Sequence, residues 1–234
     1  MNTKTLNIHS IFQSINGEVS APGQGSLCTF IRLQGCNLRC EWCDTLDSQK
    51  TTDKMLTVET IITIIRGLPI PTRNITITGG EPLLQKEALS HLVSNLHKRG
   101  YYITIETNGT QKLYGELLQK CASIVMDIKP NEIKNIDADT FFFKEKIKNC
   151  VLEGNVYRLR EQDWIKFPMQ MEEDFDKALL YTSFIRAVKA LPNIRIAFSP
   201  IAPFTAKQIF SLIRDREEAG ITINVQLHKL INLE

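Results

Sequence analysis

Short apolar runs rich in β-branched residues alternate with segments of helical periodicity, and this alternation constrains the fold more than any other feature. Such alternation is typical of βα units, which build a parallel sheet. The predicted strands cover residues 6–14, 27–33, 74–78, 101–106, 124–128, 163–169, 194–199 and 221–227. The predicted helices cover residues 57–66, with Thr57 as N-cap, and residues 83–98, 113–120, 140–151, 172–190 and 205–219.

Length and composition indicate an ordinary globular chain. Its 234 residues fit one domain, residues 1–234, and the six or seven strands of βα spacing are too few for a complete eight-stranded barrel. Hydrophobic residues make up 43% and charged residues 23%, and the net charge of +2 gives no reason to invoke nucleic acid or a membrane surface as partner. We find no signal-peptide pattern and no apolar run of about 18 residues, so we expect a cytoplasmic protein.

Three of the six cysteines, Cys36, Cys40 and Cys43, occupy one short loop after the strand predicted at residues 27–33. Soft thiolates this close together suit zinc or an iron–sulfur cluster. A closed zinc site needs four ligands, whereas a four-iron cluster held by three thiolates leaves one iron open for a small molecule. We prefer the cluster; a degenerate zinc knuckle and clustered structural thiols are the alternatives. Cys28, Cys121 and Cys150 are expected to be buried small hydrophobic residues.

The C-x3-C-x2-C spacing resembles the signature of the radical S-adenosylmethionine (SAM) superfamily. The resemblance implies that the open iron of a [4Fe–4S] cluster binds SAM, whose reductive cleavage gives a 5′-deoxyadenosyl radical that abstracts a hydrogen atom. It also implies a partial (β/α)6-type TIM barrel of α/β class, with a short N-terminal strand and a C-terminal strand extension.

Further motifs follow predicted strands, where parallel barrels collect their chemistry. The Gly-Gly-Glu-Pro turn at residues 79–82 suits close approach to a ligand, although it also fits an ordinary turn with proline at the start of a helix. The Asn-Gly sequence at residues 108–109 likewise has an ordinary turn as its alternative. The SAM-binding residues that the resemblance implies are Trp42, Cys43, Asp44, Gly79, Gly80, Glu81, Glu106, Asn108, Asp127, Lys129, Ser199 and Pro200.

A narrower resemblance covers nearly the whole chain. The Cys-Asp-Thr ending at residues 43–45, with segments 11–18, 30–36, 105–109 and 226–232, is similar to the 7-carboxy-7-deazaguanine synthases. These enzymes convert 6-carboxy-5,6,7,8-tetrahydropterin to 7-carboxy-7-deazaguanine. The resemblance implies a Mg²⁺ ion on the Thr45 hydroxyl, a homodimer, and an external electron donor such as flavodoxin.

Several side chains suit this substrate, which joins a carboxylate to a flat pterin. Arg32 is expected to pair with the carboxylate, and Glu18 to read the pterin edge. Arg32 also fits an ordinary strand position, and His228 a polar position on an edge strand. The substrate-binding residues that we predict are Ile15, Asn16, Gly17, Glu18, Arg32, Thr78, His228 and Glu234.

Four positions depart from the pattern of that family: Asn16, Asp127, Ser199 and Glu234 stand where Gln, Ser, Gln and Pro are usual. The Asp-Ile-Lys sequence at residues 127–129 resembles radical SAM activases, which make a glycyl radical on a partner enzyme. An activase is therefore one alternative function, and a non-enzymatic metal-binding module is another.

Overall fold

The computed structural model describes residues 4–129, 153–188 and 193–233. The helix predicted over residues 140–151, together with Cys150 and Glu234, lies outside these ranges. Within them, no helix is both long enough and apolar enough to cross a membrane.

The described chain divides into two compact units, and the single-domain prediction stays a prediction. The first unit comprises Met1–Thr107, Leu113–Ile124 and Leu227–Glu234, and the second comprises Asn108–Lys112 and Val125–Gln226.

The first unit contains five complete strands and four helices. Its strands are β1 (Thr5–Ile15), β2 (Leu27–Leu33), β3 (Met55–Thr57), β4 (Asn74–Gly79) and β5 (Tyr102–Thr107). Its helices are α1 (Val58–Arg66), α2 (Lys86–Lys98), α3 (Gly115–Lys120) and, near the C-terminus, α7 (Leu227–Leu230).

The second unit continues the βα alternation, and the division between the units falls within β6. Its elements are β6 (Ser123–Asp127), α4 (Glu153–Val156), β7 (Trp164–Met169), α5 (Glu172–Val188), β8 (Arg195–Pro200), α6 (Ala206–Asp215) and β9 (Ile221–Ile223).

Most strand pairs within the two units are parallel, as predicted. In the first unit the strand order is β3-β1-β2-β4-β5, and in the second it is β6-β7-β8-β9. β2, β4 and β5 are parallel, as are β6 to β9. β1 is antiparallel to both β2 and β3, because the connection from β1 to β2 contains no crossover helix.

The strands β2, β4 and β5 have two chemically different faces, because successive side chains point to opposite sides. One, the apolar face, is formed by Ile31, Leu33, Ile75, Ile77, Ile103 and Ile105, which are at most 1% exposed. The other, the polar face, carries Cys28, Phe30, Arg32, Thr76, Thr78, Thr104 and Glu106. Parallel strands covered on both sides are usually apolar on both sides, so the polar face needs another explanation.

Local sequence explains where several helices begin and what they bury. The Thr57 hydroxyl accepts the backbone N–H of Thr60, as predicted for the N-cap of α1. Thr205 and Gln208 form a reciprocal capping box at the start of α6. In the second unit, Phe167 and Phe175 both pack edge-on against Phe198.

Two sequence predictions of secondary structure are wrong. The last strand ends at Ile223 instead of residue 227, and Leu227–Leu230 forms a helical turn in which the Ile231 N–H donates to the Leu227 carbonyl. The predicted C-terminal strand is therefore present as β9 but shorter than predicted, and a turn of helix follows it. The helix predicted to reach residue 219 ends at Asp215, followed by Glu217 with a left-handed φ of 53°.

Candidate functional site

The cysteine loop, residues 36–43, is held at its base by backbone hydrogen bonds. Gly35 has a φ of +88°, a conformation that glycine adopts without strain. Its N–H donates to the Ser48 carbonyl at 2.8 Å, and its carbonyl accepts the Glu81 N–H at 2.7 Å. The loop is thereby joined both to its own exit and to the turn that follows β4.

The three thiols of the loop are half-buried. The Cys36 Sγ accepts the N–H of Leu38 at 3.4 Å, and the Cys43 Sγ lies 3.7 Å from the Thr45 hydroxyl. Burial raises the pKa of the Cys36 thiol above its ordinary value, and the nearby Cys43 acts in the same direction. A bound iron would deprotonate such a thiol regardless.

Arg39 organises the backbone between the first two cysteines. Its guanidinium donates to the carbonyls of Cys36 and Leu38, both at 2.7 Å. Two charge-assisted hydrogen bonds from one planar group restrict this turn of the loop. No sequence motif indicated this role for an exposed arginine inside the signature.

The donor set of the loop fits an iron–sulfur cluster better than a closed zinc site, because it offers three soft sulfurs on one short segment. Within residues 4–129, 153–188 and 193–233, no three Cys, His, Asp or Glu side chains converge closely enough to hold a metal ion. The three thiols lie on one loop, as the sequence indicates, but their sulfur atoms do not converge in this structure. Binding of a cluster would therefore have to bring the three sulfur atoms together.

The paired glycines after β4 pack directly against the base of the cysteine loop. A Cβ on Gly79 would lie 2.1 Å from the Leu33 carbonyl oxygen, and one on Gly80 would lie 2.0 Å from the Gly35 carbonyl oxygen. The Gly80 N–H donates to Leu33 at 3.2 Å. Both glycines are therefore required by backbone packing, in addition to any contact with a ligand.

Glu81 fixes this turn with a completely buried carboxylate. Its Oε1 accepts the N–H of Leu83 at 2.9 Å, as N-cap of a short 3₁₀ turn, and the hydroxyl of Thr107 at 2.8 Å. The Glu81 side chain thereby connects the Gly-Gly-Glu-Pro turn to the end of β5. Glu81 was predicted to bind SAM, and these hydrogen bonds give it a structural role.

The polar face brings three predicted site residues together near the carboxyl ends of their strands. Arg32 and Thr78 are paired residues of β2 and β4, and the Thr78 hydroxyl donates to the Glu106 carboxylate at 2.6 Å. The Arg32 guanidinium carbon lies 5.2 Å from the ring centre of Phe12, which stacks on Phe30. Its Nε is buried and has no hydrogen-bond partner in the described part of the chain.

The turn after β1 presents a second unsatisfied donor. Asn16 is only 2% exposed, and its N–H donates to the Ser26 carbonyl. Its side-chain Oδ1 accepts the Thr76 hydroxyl at 2.9 Å, while its Nδ2 is buried with no acceptor among the described residues. Native proteins satisfy almost all such groups, so the unpaired donors of Arg32 and Asn16 are candidate contacts for a polar ligand.

The C-terminal helical turn packs on the same segment. The Leu227 N–H donates to the Gly17 carbonyl at 2.8 Å, and a Cβ on Gly17 would overlap the His228 imidazole, 1.7 Å from Nδ1. Burial lowers the pKa of His228, while the negative charge of Glu18 opposes that shift. Position 17 therefore requires glycine, and His228 lies beside it. The substrate-binding roles of both residues stay predictions.

A surface ion pair connects the C-terminal turn to the end of the cysteine loop. The Lys229 Nζ lies 3.0 Å from the Asp44 Oδ2, and both side chains are half exposed. Exposed pairs of this kind stabilise by about 0–1 kcal/mol. The pair nevertheless orients Asp44, one of the predicted SAM-binding residues.

In the second unit, the predicted Asn108 belongs to a tightly bonded loop. Its Oδ1 accepts both the N–H and the hydroxyl of Thr110, at 3.0 and 2.6 Å. The fully buried Asn155 donates to the carbonyls of Gly109 and Gln111, at 2.9 and 2.8 Å. Sequence analysis missed Asn155, because an isolated polar residue outside any motif carries no signal.

Asp127 and Lys129, also in the second unit, share a charged cluster with Lys166. The Asp127 Oδ2 lies 2.7 Å from the Lys129 Nζ, and its Oδ1 lies 3.4 Å from the Lys166 Nζ. Burial raises the pKa of Asp127, but the two lysine charges outweigh burial and leave the pKa below its ordinary value. Lys166 was also missed; a lysine inside the apolar run of β7 was the available signal.

The remaining predicted SAM residues of this unit are at the end of β8. The Ser199 hydroxyl accepts Asn224 Nδ2 at 2.6 Å, and Pro200 is the last residue of the strand. Ser199 is 4% exposed and Asn224 is fully buried, so Asn224 is a further polar partner that the sequence did not indicate.

Comparison with known proteins identifies relatives of the whole chain. A model of the radical SAM superfamily matches residues 30–133. The 7-carboxy-7-deazaguanine synthase of Clostridium acetobutylicum is 33% identical over 224 residues, covering 94% of this chain and 93% of that protein. The synthase of Methanospirillum hungatei is 32% identical over 232 residues, covering 97% of this chain and 86% of that protein.

A solved structure with the same fold is QueE from Escherichia coli, with a TM-score of 0.68 and 22% sequence identity. The likeness covers 96% of this chain and 94% of that one. At this identity it shows the fold, and it confirms the predicted α/β partial barrel of the radical SAM kind.

Proposed function

Because the chain belongs to the 7-carboxy-7-deazaguanine synthase family of radical SAM enzymes, we propose that it converts 6-carboxy-5,6,7,8-tetrahydropterin to 7-carboxy-7-deazaguanine with loss of ammonia. The product class is the 7-deazapurine precursor of queuosine-type biosynthesis. The observation that best supports this proposal is the polar face of β2, β4 and β5, with its buried, unpaired Arg32 donor on the strand that leads into the cysteine loop.

The family uses a [4Fe–4S] cluster and SAM, and in this chain Cys36, Cys40 and Cys43 would hold the cluster. When bound, the cluster supplies the electron for the reductive cleavage of SAM that starts hydrogen abstraction. The protein's own contribution is to fix the loop through Gly35 and Arg39, as the hydrogen bonds at its base and at its first turn indicate.

Residues predicted to bind SAM occur in both units, and each assignment is part of the proposal. In the first unit they are Trp42, Cys43, Asp44, Gly79, Gly80, Glu81 and Glu106. In the second unit they are Asn108, Asp127, Lys129, Ser199 and Pro200. The buried carboxylate of Glu81 and the backbone packing of Gly80 support a positioning role for the Gly-Gly-Glu-Pro turn.

Arg32 would bind the substrate carboxylate through paired N–H donors, since its Nε has no partner in the described chain and its position over Phe12 limits its orientations. Thr78 would contribute through its bond to Glu106. The turn at Ile15, Asn16, Gly17 and Glu18 would read the pterin edge, with His228 beside it. Glu234 lies outside the described residues.

A Mg²⁺ ion on Thr45 is a separate part of the proposal. Mg²⁺ keeps several waters and binds through few protein oxygens, so a single hydroxyl next to the loop would suffice as its protein ligand when substrate oxygens share the ion. The Thr45 hydroxyl is near the Cys43 thiol. The backbone carbonyl of Thr45 accepts both the N–H and the hydroxyl of Ser48. These bonds would hold the segment in place.

We further propose a homodimer and an external electron donor such as flavodoxin, on the strength of the family resemblance, and a cytoplasmic location, where thiols stay reduced. Relatives that match over most of the chain bear the synthase name, which favours the synthase over the activase.

The test is anaerobic turnover by reconstituted protein with SAM, reductant and the carboxytetrahydropterin, with and without Mg²⁺. We expect 7-carboxy-7-deazaguanine and ammonia, with faster turnover when Mg²⁺ is present. The matched control is the same tetrahydropterin without its carboxylate, which should bind weakly because Arg32 has no partner on it. Intact cluster and SAM cleavage without product would reject the assignment.

A further inference from the structure

A chain of three buried polar groups runs from β2 to the turn after β1 in the first unit. The Cys28 Sγ lies 3.1 Å from the Thr76 Oγ1, and the Thr76 Oγ1 lies 2.9 Å from the Asn16 Oδ1. All three residues are at most 2% exposed. The residues come from β2, β4 and the turn after β1, so their meeting results from the fold and not from any local motif.

The hydrogen bonds in this chain have one consistent direction. A hydroxyl has one proton to donate, and the Thr76 hydroxyl gives it to the Asn16 Oδ1. The Thr76 oxygen can then only accept from Cys28, whose thiol is the donor. Burial raises the pKa of Cys28 to about 11, so this thiol keeps its proton at neutral pH. The thiol also contacts the Thr29 carbonyl, at the longer distance of 3.5 Å, and the neighbouring Asn16 side chain lowers the pKa of Cys28 against the effect of burial.

The orientation of the Asn16 amide agrees with this direction. An asparagine amide has an acceptor end and a donor end, which exchange when the group rotates by half a turn. Because Thr76 donates, the oxygen end is held at Thr76 and the nitrogen end is turned away from it. That nitrogen, Nδ2, is buried and without an acceptor among the described residues.

We infer that Thr76, held by Cys28, is a positioning residue that fixes the Asn16 amide so that its Nδ2 donates to a ring acceptor of the substrate. The inference rests on the proposed function, because the acceptor is assigned to the edge of the carboxytetrahydropterin. Thr76 has no direct contact with substrate in this inference, because its hydroxyl is engaged by Asn16 and Cys28, and it acts through Asn16.

The spacing along the strands fits this assignment. Thr76 pairs with Phe30, and two residues further along β4 Thr78 pairs with Arg32. Two residues of a strand span about 7 Å. The Asn16 donor is held at the Thr76–Phe30 pair, and the Arg32 donor belongs to the next pair along the polar face, Thr78–Arg32. A flat bicyclic ligand with a carboxylate at one end and acceptor atoms along its ring matches two donors arranged in this way.

The test uses Thr76→Val, which keeps the shape and removes the hydroxyl, with Thr76→Ser as the matched control that retains it. The dissociation constant of the pterin is measured on reconstituted, SAM-loaded enzyme without reductant. We expect Thr76→Val to weaken pterin binding about tenfold, the size of one lost hydrogen bond, and Thr76→Ser to bind like the wild type. Unchanged SAM affinity in both variants distinguishes a local effect from general damage.

Asn16→Asp sharpens the test, because a carboxylate has two equivalent oxygens and no end to orient. It should weaken pterin binding by about a hundredfold, since a donor is replaced by an acceptor. Adding Thr76→Val to it should then cost clearly less than the tenfold seen in the wild-type background. Fully additive effects, or equal behaviour of Thr76→Val and Thr76→Ser, would overturn the inference.

A second readout does not depend on substrate. The Raman S–H stretch of Cys28, identified by its loss in Cys28→Ala, should move to higher frequency in Thr76→Val because the thiol loses its acceptor. An unchanged band would overturn the relay. If the wild-type enzyme neither binds nor converts the pterin, the proposed function and this ligand are rejected, whereas the relay is still decided by the S–H band.

Discussion

The two faces of β2, β4 and β5 contribute differently: the apolar face stabilises the fold, whereas the polar face carries the groups predicted to bind ligands. Ile31, Ile77 and Ile105 on the apolar face are completely buried. One residue further along each strand, Arg32, Thr78 and Glu106 form a row of polar groups. Each buried isoleucine stabilises the fold by about 1.5–3 kcal/mol, whereas each buried polar group adds little unless it is paired.

The second unit makes the contrast clearer. β7 and β8 are also parallel strands, but they bury Phe167 and Phe198 in an aromatic cluster with Phe175. The buried charged residue of these two strands is Lys166, which pairs with Asp127. In the first unit, Arg32 on the polar face and Asn16 in the turn after β1 keep donors that no described residue satisfies, and the second unit also has buried groups without a described partner, such as Trp164 Nε1 and Thr182 Oγ1. What distinguishes the first unit is that its two unpaired donors belong to residues predicted to bind substrate.

The largest effect is expected outside both faces, at the cysteine loop. Cys40→Ala should leave two thiolates and lose the four-iron cluster, so that no product forms above background. Iron content, the absorbance of the cluster and turnover measure this. Cys121→Ala, at a buried cysteine away from the loop, is the control and should keep its iron. Four irons retained in Cys40→Ala would contradict the ligand assignment.

Ile77→Ala and Thr78→Val compare the two faces at adjacent positions. Ile77→Ala should lower the free energy of unfolding by about 3–4 kcal/mol, because it leaves a cavity in the apolar face, and should leave pterin affinity unchanged. Thr78→Val should cost less than about 1.5 kcal/mol and weaken pterin binding, because Glu106 loses its 2.6 Å donor. Urea unfolding measures the loss of stability and pterin titration the loss of affinity. If Ile77→Ala weakened pterin binding and Thr78→Val did not, the division between the two faces would be refuted.

Cys28 gives the polar face a pH dependence. Its pKa rises from the ordinary 9.0 to about 11 in the folded protein, mainly through burial. The neutral thiol therefore stabilises the fold fully below pH 9, and this contribution is lost as pH rises towards 11, because the unfolded chain releases its proton first. Wild type should lose roughly 2–3 kcal/mol more than Cys28→Ala over that range in denaturant titrations. Parallel pH profiles of the two proteins would contradict the assigned shift.

Arg32→Lys tests the geometry of the polar face with its charge preserved. A lysine cannot form the paired, planar contact, so the dissociation constant of the pterin should rise about tenfold to fiftyfold. The analogue without the carboxylate should bind both proteins equally. Equal binding of the full substrate would show that charge alone suffices at this position.

Much of the fold could be predicted from the sequence, because the periodicity that reveals βα units is local. The Thr57 cap and the strands at residues 27–33 and 163–169 depend on neighbouring residues alone. β3 was missed since three residues carry no periodic signal, and they form a strand only through antiparallel pairing with β1. The turn at Leu227 was predicted as strand because its helical geometry depends on distant Gly17.

The candidate site could be predicted only where a motif names it. Spacing indicated Cys36, Cys40 and Cys43 as candidate cluster ligands, and their positions after predicted strands indicated Glu106 and Lys129 as candidates for SAM binding; these assignments stay predictions. Lys166, Asn155 and Asn224 act through distant partners, so their roles could not be read locally. The identity of Gly17 had a physical cause that no sequence pattern revealed, namely the imidazole of a residue more than two hundred positions later.

The packing of that last helical turn also bears on how the protein is prepared. Truncation before Leu227 would uncover the Gly17 carbonyl and break the ion pair of Asp44 with Lys229. Protein shortened at this end should therefore be checked for weakened pterin binding before any kinetic work.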